Sequence, residues 1–413
     1  MIKPFRGLRP KPALAGKVAA HPYDVVNREE AFAMARGNPY SFFHINKPEI
    51  DLDASVDAHD PRVYEKGAEN LKRFIAEGTL VRDSEETFYV YKQVMGSHEQ
   101  VGLVAVASVD AYDQGLIKKH EFTRPDKEDD RVAHMDTIGA QVGPVFLTYR
   151  AQSVIDGLID SVTATSPDCD FVADDGTRHV FWVVKDASVS AAIQQAFDKV
   201  QCLYVADGHH RSAAASRVRQ RRQSVNTQHT GDESYNWFLT VLFPDNQMQI
   251  LDYNRVIADL NGLDAAAFVD KLKQNFSVRQ VNNRDEAKPD AVHQFGLYLD
   301  NTWYRLTCRE GLVVEGDPVR SLDVSVMQEA ILSPLLGIED QRRDKRIDFV
   351  GGIRGLGELE KRVNSGDWAL AIALYPTSIQ SLMAIADAGE VMPPKSTWFE
   401  PKLKSGLVSH VLD

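Results

Sequence analysis

The sequence predicts an α/β fold of the mixed α+β kind, and three observations carry that expectation. β-rich runs and helix-forming segments alternate along residues 87–215. The apolar run Cys202-Leu203-Tyr204-Val205-Ala206 leads through Asp207 and Gly208 into an Ala-rich stretch, which reads as a buried strand feeding a helix. Beyond residue 255 helical and β-rich segments resume, so a second α/β region follows the first.

Taken in order, residues 1–26 hold short apolar pieces broken by prolines and end in His21-Pro22-Tyr23-Asp24-Val25-Val26. Pro22 drives His21 towards extended backbone, so a loop leads into a strand or turn. Asn38-Pro39 is a turn, with Tyr40 to Ile45 read as a strand, and the acidic stretch 51–61 is a surface loop. A helix follows over about 62–76, with Leu71, Phe74 and Ile75 on its apolar face and Gly78 as its stop. Residues 87–95 and 100–109 are β-rich runs split by Gly96-Ser97-His98-Glu99, a hairpin. Pro125 opens a helix whose early carboxylates Asp126, Glu128, Asp129 and Asp130 suit the positive end of the dipole.

Strands are then expected over 144–149 and 179–185, and helices over 153–164 and 188–199. Arg217, Arg219, Arg221 and Arg222 make a basic helix end, read as favourable charge in solvent. Residues 236–243 and 248–251 read as another hairpin. A boundary near 255 divides a core of residues 1–255 from a C-terminal α/β region, 256–413. That region carries a helix (265–275), strands (295–299 and 302–307), a helix (325–332) and a strand entering Gly351-Gly352. The glycines that follow match neither a dinucleotide fingerprint nor a Walker loop, so they are a turn.

The 413 residues are 43% hydrophobic and 26% charged, an ordinary globular balance with room for two domains. The longest apolar runs are too short to cross a bilayer and the first residues lack a signal-peptide core, so the expected location is the cytoplasm. Three scattered cysteines form no C-x-x-C pair, which argues against a disulfide framework or a thiolate zinc site. A net charge of −12 disfavours a broad nucleic-acid surface but leaves room for a local basic pocket.

The candidate site is the strand-to-helix turn. Asp207, Gly208, His209, His210 and Arg211 fall where backbone N–H groups lack partners and the helix dipole is positive, which suits a phosphate. Gly208 permits close backbone approach or a positive φ, and Arg211 can grip an anion with two donors. The histidines can carry protons or bind metal. His120, Glu121 and Arg124 precede the Pro125 helix and are not explained by capping; a carboxylate beside a histidine serves as base or as a magnesium ligand. Pro393-Pro394-Lys395-Ser396-Thr397 and Glu400-Pro401-Lys402-Leu403 form a stiff segment presenting lysines and hydroxyls, suited to closing over an anion and dispensable for folding.

The Ala206–Arg211 box resembles the second box of the ParB/sulfiredoxin/free serine kinase superfamily, where such an arginine opens a phosphate-binding helix. The whole chain resembles DUF1015, through Ala20–Val26, Asn38-Pro39, His120–Thr123, the D-G-H-H-R turn and Met392–Leu403. The resemblance implies a nucleotide-binding core with a mixed sheet. It also implies a phosphotransferase that acts on a small hydroxyl-bearing metabolite such as free serine, with ADP or ATP as donor and magnesium as cofactor. Glu121, Asp207, His209 and His210 are the catalytic candidates, with Asp207 and Glu121 the candidate metal ligands. Gly208, Arg211, His21, Asp24, Arg124, Lys395, Ser396 and Lys402 are the candidate nucleotide contacts. A phosphatase on a similar phosphorylated metabolite such as phosphoserine, or a non-catalytic nucleotide-binding regulator, are the alternatives.

Overall fold

The computed structural model describes residues 1–413, which divide into two compact units: Met1–Met248 with Pro401–Asp413, and Gln249–Glu400. The architecture is mixed α/β. In the first unit a nine-stranded sheet runs Ile117–Lys118, Leu203–Asp207, Val145–Tyr149, Trp237–Pro244, His98–Ser108, Tyr89–Met95, Arg178–Val183, Cys169–Val172, with Ile2–Lys3 added against His98–Ser108. Leu203–Asp207 is parallel to Ile117–Lys118 and antiparallel to Val145–Tyr149, which is in turn parallel to Trp237–Pro244. The sheet is therefore mixed. Its central strands read as continuous apolar runs because both faces are covered. Leu103, Ala105, Leu147, Leu203, Val205 and Leu242 all lie in one buried cluster with Ile193 and Phe197 of the helix Ala187–Phe197.

The register of the central strand slips between Val205, opposite Leu147, and Asp207, opposite Phe146. Such a bulge bends a strand and re-aims a side chain; here the side chain is Asp207. Gly208 then takes φ 98°, and the helix His209–Val225 begins. It packs beside the helix Pro125–Ile138, with Arg217 on Asp129 (2.6 Å) and Glu128 (3.2 Å) and Arg222 on Asp136 (3.0 Å). Arg219 reaches Asp110 at 2.6 Å. The basic run is thus a set of ion pairs between elements, and not solvated charge at a helix end.

Several sequence expectations give way. Tyr40–Ile45 is not a strand; Phe43–Asn46 is helical and Phe42, Phe43 and Ile45 are buried in a second cluster. The helix Pro61–Ala76 turns Val63, Tyr64, Leu71 and Phe74 inward, while Ile75 is exposed. Ile250–Leu251 does not fold back on Trp237–Pro244 but pairs with Trp398–Phe399. Residues 401–413 are also no loose tail. Ser405 bridges Ala20, Ser409 bridges Leu8, and His410–Val411 pairs with Ala140–Gln141, while Leu403, Leu407, Val408 and Leu412 are buried. A segment so integrated is not dispensable for folding.

The second unit holds a six-stranded sheet in the order Phe276–Val281, Thr302–Cys308, Gln294–Leu299, Leu370–Leu374, Tyr253–Ile257, Ile347–Gly351, antiparallel throughout. Its buried cluster runs from Ile257 through Leu297 and Ile372 to Met327 and Ile331. Arg255 is fully buried and donates to the backbone carbonyls of Tyr253, Pro394 and Lys395. Carbonyl acceptors satisfy a guanidinium in place of a carboxylate, and here they fix the proline segment against the sheet.

Candidate functional site

The bulge, the glycine and the first turn of the helix His209–Val225 place four side chains in four different settings. His209 is 4% exposed, and its ring meets that of His120 edge to face at 4.4 Å between centroids. His120 is 2% exposed and hydrogen-bonds to the backbone of Val205, which leaves its Nδ1 without a partner. Nε2 of His209 is buried and equally unpartnered. Glu121 lies beside them, with Oε2 3.8 Å from His209 Nδ1. Burial pushes His120 down to about 4, and burial followed by the neighbouring His120 holds His209 well below its ordinary value. Both imidazoles are therefore neutral near pH 7. The donor atoms of His120, Glu121 and His209 lie within 4.8 Å of one another, a set that could hold a metal ion.

His210 turns the other way, its Nε2 accepting from the Arg124 backbone N–H at 3.1 Å. The Arg124 side chain pairs with Asp126 at 2.8 Å in an exposed position. Asp207 faces Lys402 Nζ at 3.3 Å and Arg211 Nη2 at 3.9 Å. Burial opposes its ionisation, but the two cations outweigh burial and hold the carboxyl well below the usual range. Its charge is spent on protein cations, so Asp207 fits magnesium poorly.

Arg211 folds back over Gly208. Nη1 donates to the Pro144 carbonyl, while the buried Nε has no partner. The guanidinium lines a pocket with Tyr23, Asn46, Arg131, Gly143 and Ser405, among others, with about 30 Å³ of room for water-sized guests. Arg131 is held by Asp130 at 2.6 Å and lies 3.7 Å over the Tyr23 ring; burial pushes the Tyr23 hydroxyl up to about 12. Asn46 donates to the His21 carbonyl at 3.1 Å and keeps a buried, unpartnered Oδ1.

His21 itself stands 3.2 Å from Lys404 Nζ, which also reaches Asp175 at 2.7 Å. Gln93, fully buried, donates to the Lys402 carbonyl at 3.0 Å and so fixes the backbone that carries this lysine. The structure therefore brings His120, Glu121, His209, His210, Arg124, Asp207, Arg211 and Lys402 to one strand end and the helix start that follows it. Lys395 and Ser396 belong to the second unit. There Lys395 takes φ 58° with Nζ 5.8 Å from the Tyr253 ring, and Ser396 donates to Pro393 at 2.6 Å. Asp24, exposed, makes no ion pair with these groups.

Sequence reasoning missed Tyr23, Arg131 and Lys404. Arg131 ends a charged run whose carboxylates the helix dipole explains, and only its burial against an aromatic ring marks it out. No helix is long and apolar enough to cross a membrane.

Comparison with solved structures finds a free serine kinase in complex with AMP (12% identity, TM-score 0.36, covering 74% of this chain and 92% of that one). It also finds a conserved hypothetical protein from Pyrococcus furiosus (15%, 0.35, 74% and 95%) and C-terminally truncated SbnI from Staphylococcus aureus (11%, 0.37, 73% and 85%). At these scores no residue role passes from them to this chain. No curated protein matches it. A family model described as a protein of unknown function, DUF1015, matches residues 2–325.

Proposed function

Because the chain belongs to the DUF1015 family, whose description assigns no activity, we propose its function from the site: it is an enzyme that binds the phosphates of a nucleotide, ADP or ATP, and transfers a phosphoryl group to a small hydroxyl-bearing metabolite such as free serine. The observation that carries this reading is the pair of arginines, Arg131 and Arg211, lining one pocket at the start of a 17-residue helix. A buried guanidinium whose Nε–H is unsatisfied, beside first-turn amides, is a ready donor to phosphate oxygens. Lys402, held by Asp207 at 3.3 Å, adds a second kind of positive charge.

Phosphoryl transfer asks mainly for positioned cations and a group that orients or deprotonates the acceptor. In this reading Arg211 and the turn amides hold phosphate, and Asp207 keeps Lys402 and Arg211 in place. Glu121, half-exposed beside His209, orients the acceptor hydroxyl; His210 and Arg124 border the opening. The choice of a serine-like acceptor rests on the resemblance of the Ala206–Arg211 box.

The test is calorimetric titration of the wild-type chain and of Arg211→Ala with ADP, ATP, serine and phosphoserine. One charge-assisted hydrogen bond to phosphate contributes about 1.5–3 kcal/mol, so nucleotide affinity should fall roughly tenfold or more in the variant. Equal affinity in a folded variant would return Arg211 to a purely structural role.

A further inference from the structure

The two buried histidines are left over by that reading. His120 and His209 each keep one ring nitrogen without a partner, in positions 2% and 4% exposed. A buried polar atom with no partner is costly to leave unsatisfied, so two such atoms on rings in edge-to-face contact ask for a ligand. The third group is Glu121, and one donor atom from each of His120, Glu121 and His209 lies within 4.8 Å of the others.

We propose that His120, Glu121 and His209 form a site for a borderline divalent cation of the zinc class, not for magnesium. Magnesium demands oxygen ligands in near-octahedral array, whereas two neutral imidazoles select borderline cations. Three protein ligands leave coordination positions open to water or an anion, as in catalytic rather than structural sites. His120 carries its outer support already, since its other nitrogen hydrogen-bonds to the Val205 backbone and so fixes the ring.

Zinc–ligand distances are about 2.0–2.2 Å, so the donors must draw in by about 1 Å. Glu121, 41% exposed in the segment after Ile117–Lys118 and far less enclosed than His209, is the group that makes that movement. The positive end of the helix opposes a bare cation. The Glu121 carboxylate, 3.8 Å from His209 Nδ1, offsets that field.

The site is separate from the arginine pocket, and the experiment keeps the two apart. The full chain, stripped with chelator, is titrated with Co²⁺ and Zn²⁺ by calorimetry and by visible absorption of the Co²⁺ form, then challenged with millimolar Mg²⁺. One Co²⁺ per chain is expected, unaffected by Mg²⁺, with affinity at least tenfold lower in His120→Ala and in Glu121→Gln. His59→Ala, which removes an exposed histidine elsewhere in the same unit, should bind Co²⁺ as the wild type does. Should His120→Ala fail to fold, the half-exposed Glu121→Gln decides alone. Displacement of Co²⁺ by the millimolar Mg²⁺, unchanged affinity in Glu121→Gln, or loss of binding in His59→Ala would overturn the assignment. Nucleotide titration of Glu121→Gln separates the two readings. Intact nucleotide binding with metal lost leaves the phosphate pocket standing, and the reverse pattern in Arg211→Ala leaves the metal site standing.

Discussion

At Gly208 the backbone takes φ 98°, and an added Cβ would lie 3.1 Å from Arg211 Nε. Gly208→Ala therefore meets two penalties at one place: a left-handed conformation that an L side chain resists, and crowding of the guanidinium. We expect a loss of about 1–3 kcal/mol, read as a lower urea midpoint, together with nucleotide binding weakened at least as far as in Arg211→Ala. A variant with wild-type stability and affinity would mean that the arginine does not rest on this glycine. The D-G-H-H-R turn is legible in sequence because packing seldom asks for five such residues in a row, and its phosphate-compatible position follows from the strand and helix around it. The meeting of His120 with His209 is not legible. It depends on the parallel pairing of Ile117–Lys118 with Leu203–Asp207, a contact between distant segments that no local pattern announces. The role of Asp207 was open to misreading for the same reason, since its partner Lys402 comes from 195 residues away.

Among the elements, the closing segment 401–413 has the sharpest consequence. Leu403, Leu407, Val408 and Leu412 are each at most 6% exposed, and burying one such side chain contributes about 1.5–3 kcal/mol. Their sum rivals the 5–15 kcal/mol that typically separates folded from unfolded domains. Deleting residues 401–413 should therefore abolish cooperative unfolding of the first unit, seen as loss of its thermal transition. A truncated chain that melts as sharply as the full one would show the segment to be a passive strap. Helices and central strands were readable because apolar runs and caps are local. The failures have a common cause. Phe42, Phe43 and Ile45 suit a strand by propensity, yet tertiary packing folds them into a helical turn. Phe276–Val281 escaped notice because four of its six residues are not buried, as befits a sheet edge.

For the molecule as a whole, acid should be destabilising well before the carboxylates protonate. Burial lowers His134 and His179 to about 3 and His410 to about 4, while unfolded histidine titrates near 6.5. Between those values the unfolded chain takes up protons that the folded chain refuses, so stability is full above about pH 6.5 and falls as pH drops towards 4. Each of the three histidines contributes up to about 1.4 kcal/mol per pH unit. Urea midpoints at pH 7.5, 6 and 5 should decline accordingly, and His410→Gln should flatten the decline; an unchanged slope would show that His410 is not excluded from protonation. The second unit, with its own sheet and core, should fold as the isolated fragment 249–400, checked by circular dichroism and a cooperative melt. Its two ends already lie side by side, since Ile250–Leu251 pairs with Trp398–Phe399 and Glu400 donates to Gln249 at 3.2 Å. Biosynthesis must respect this arrangement. A ribosome releases residues 249–400 before it releases 401–413, so the inserted unit has all its strands while the earlier unit still lacks Lys402, Lys404 and the partner of Ala140–Gln141. At about 5–20 residues per second the 152 residues of the insert, which separate the two parts of the first unit, take on the order of 8–30 s. During that time the older half of the nascent chain waits incomplete, its apolar surface a natural client for a holding chaperone.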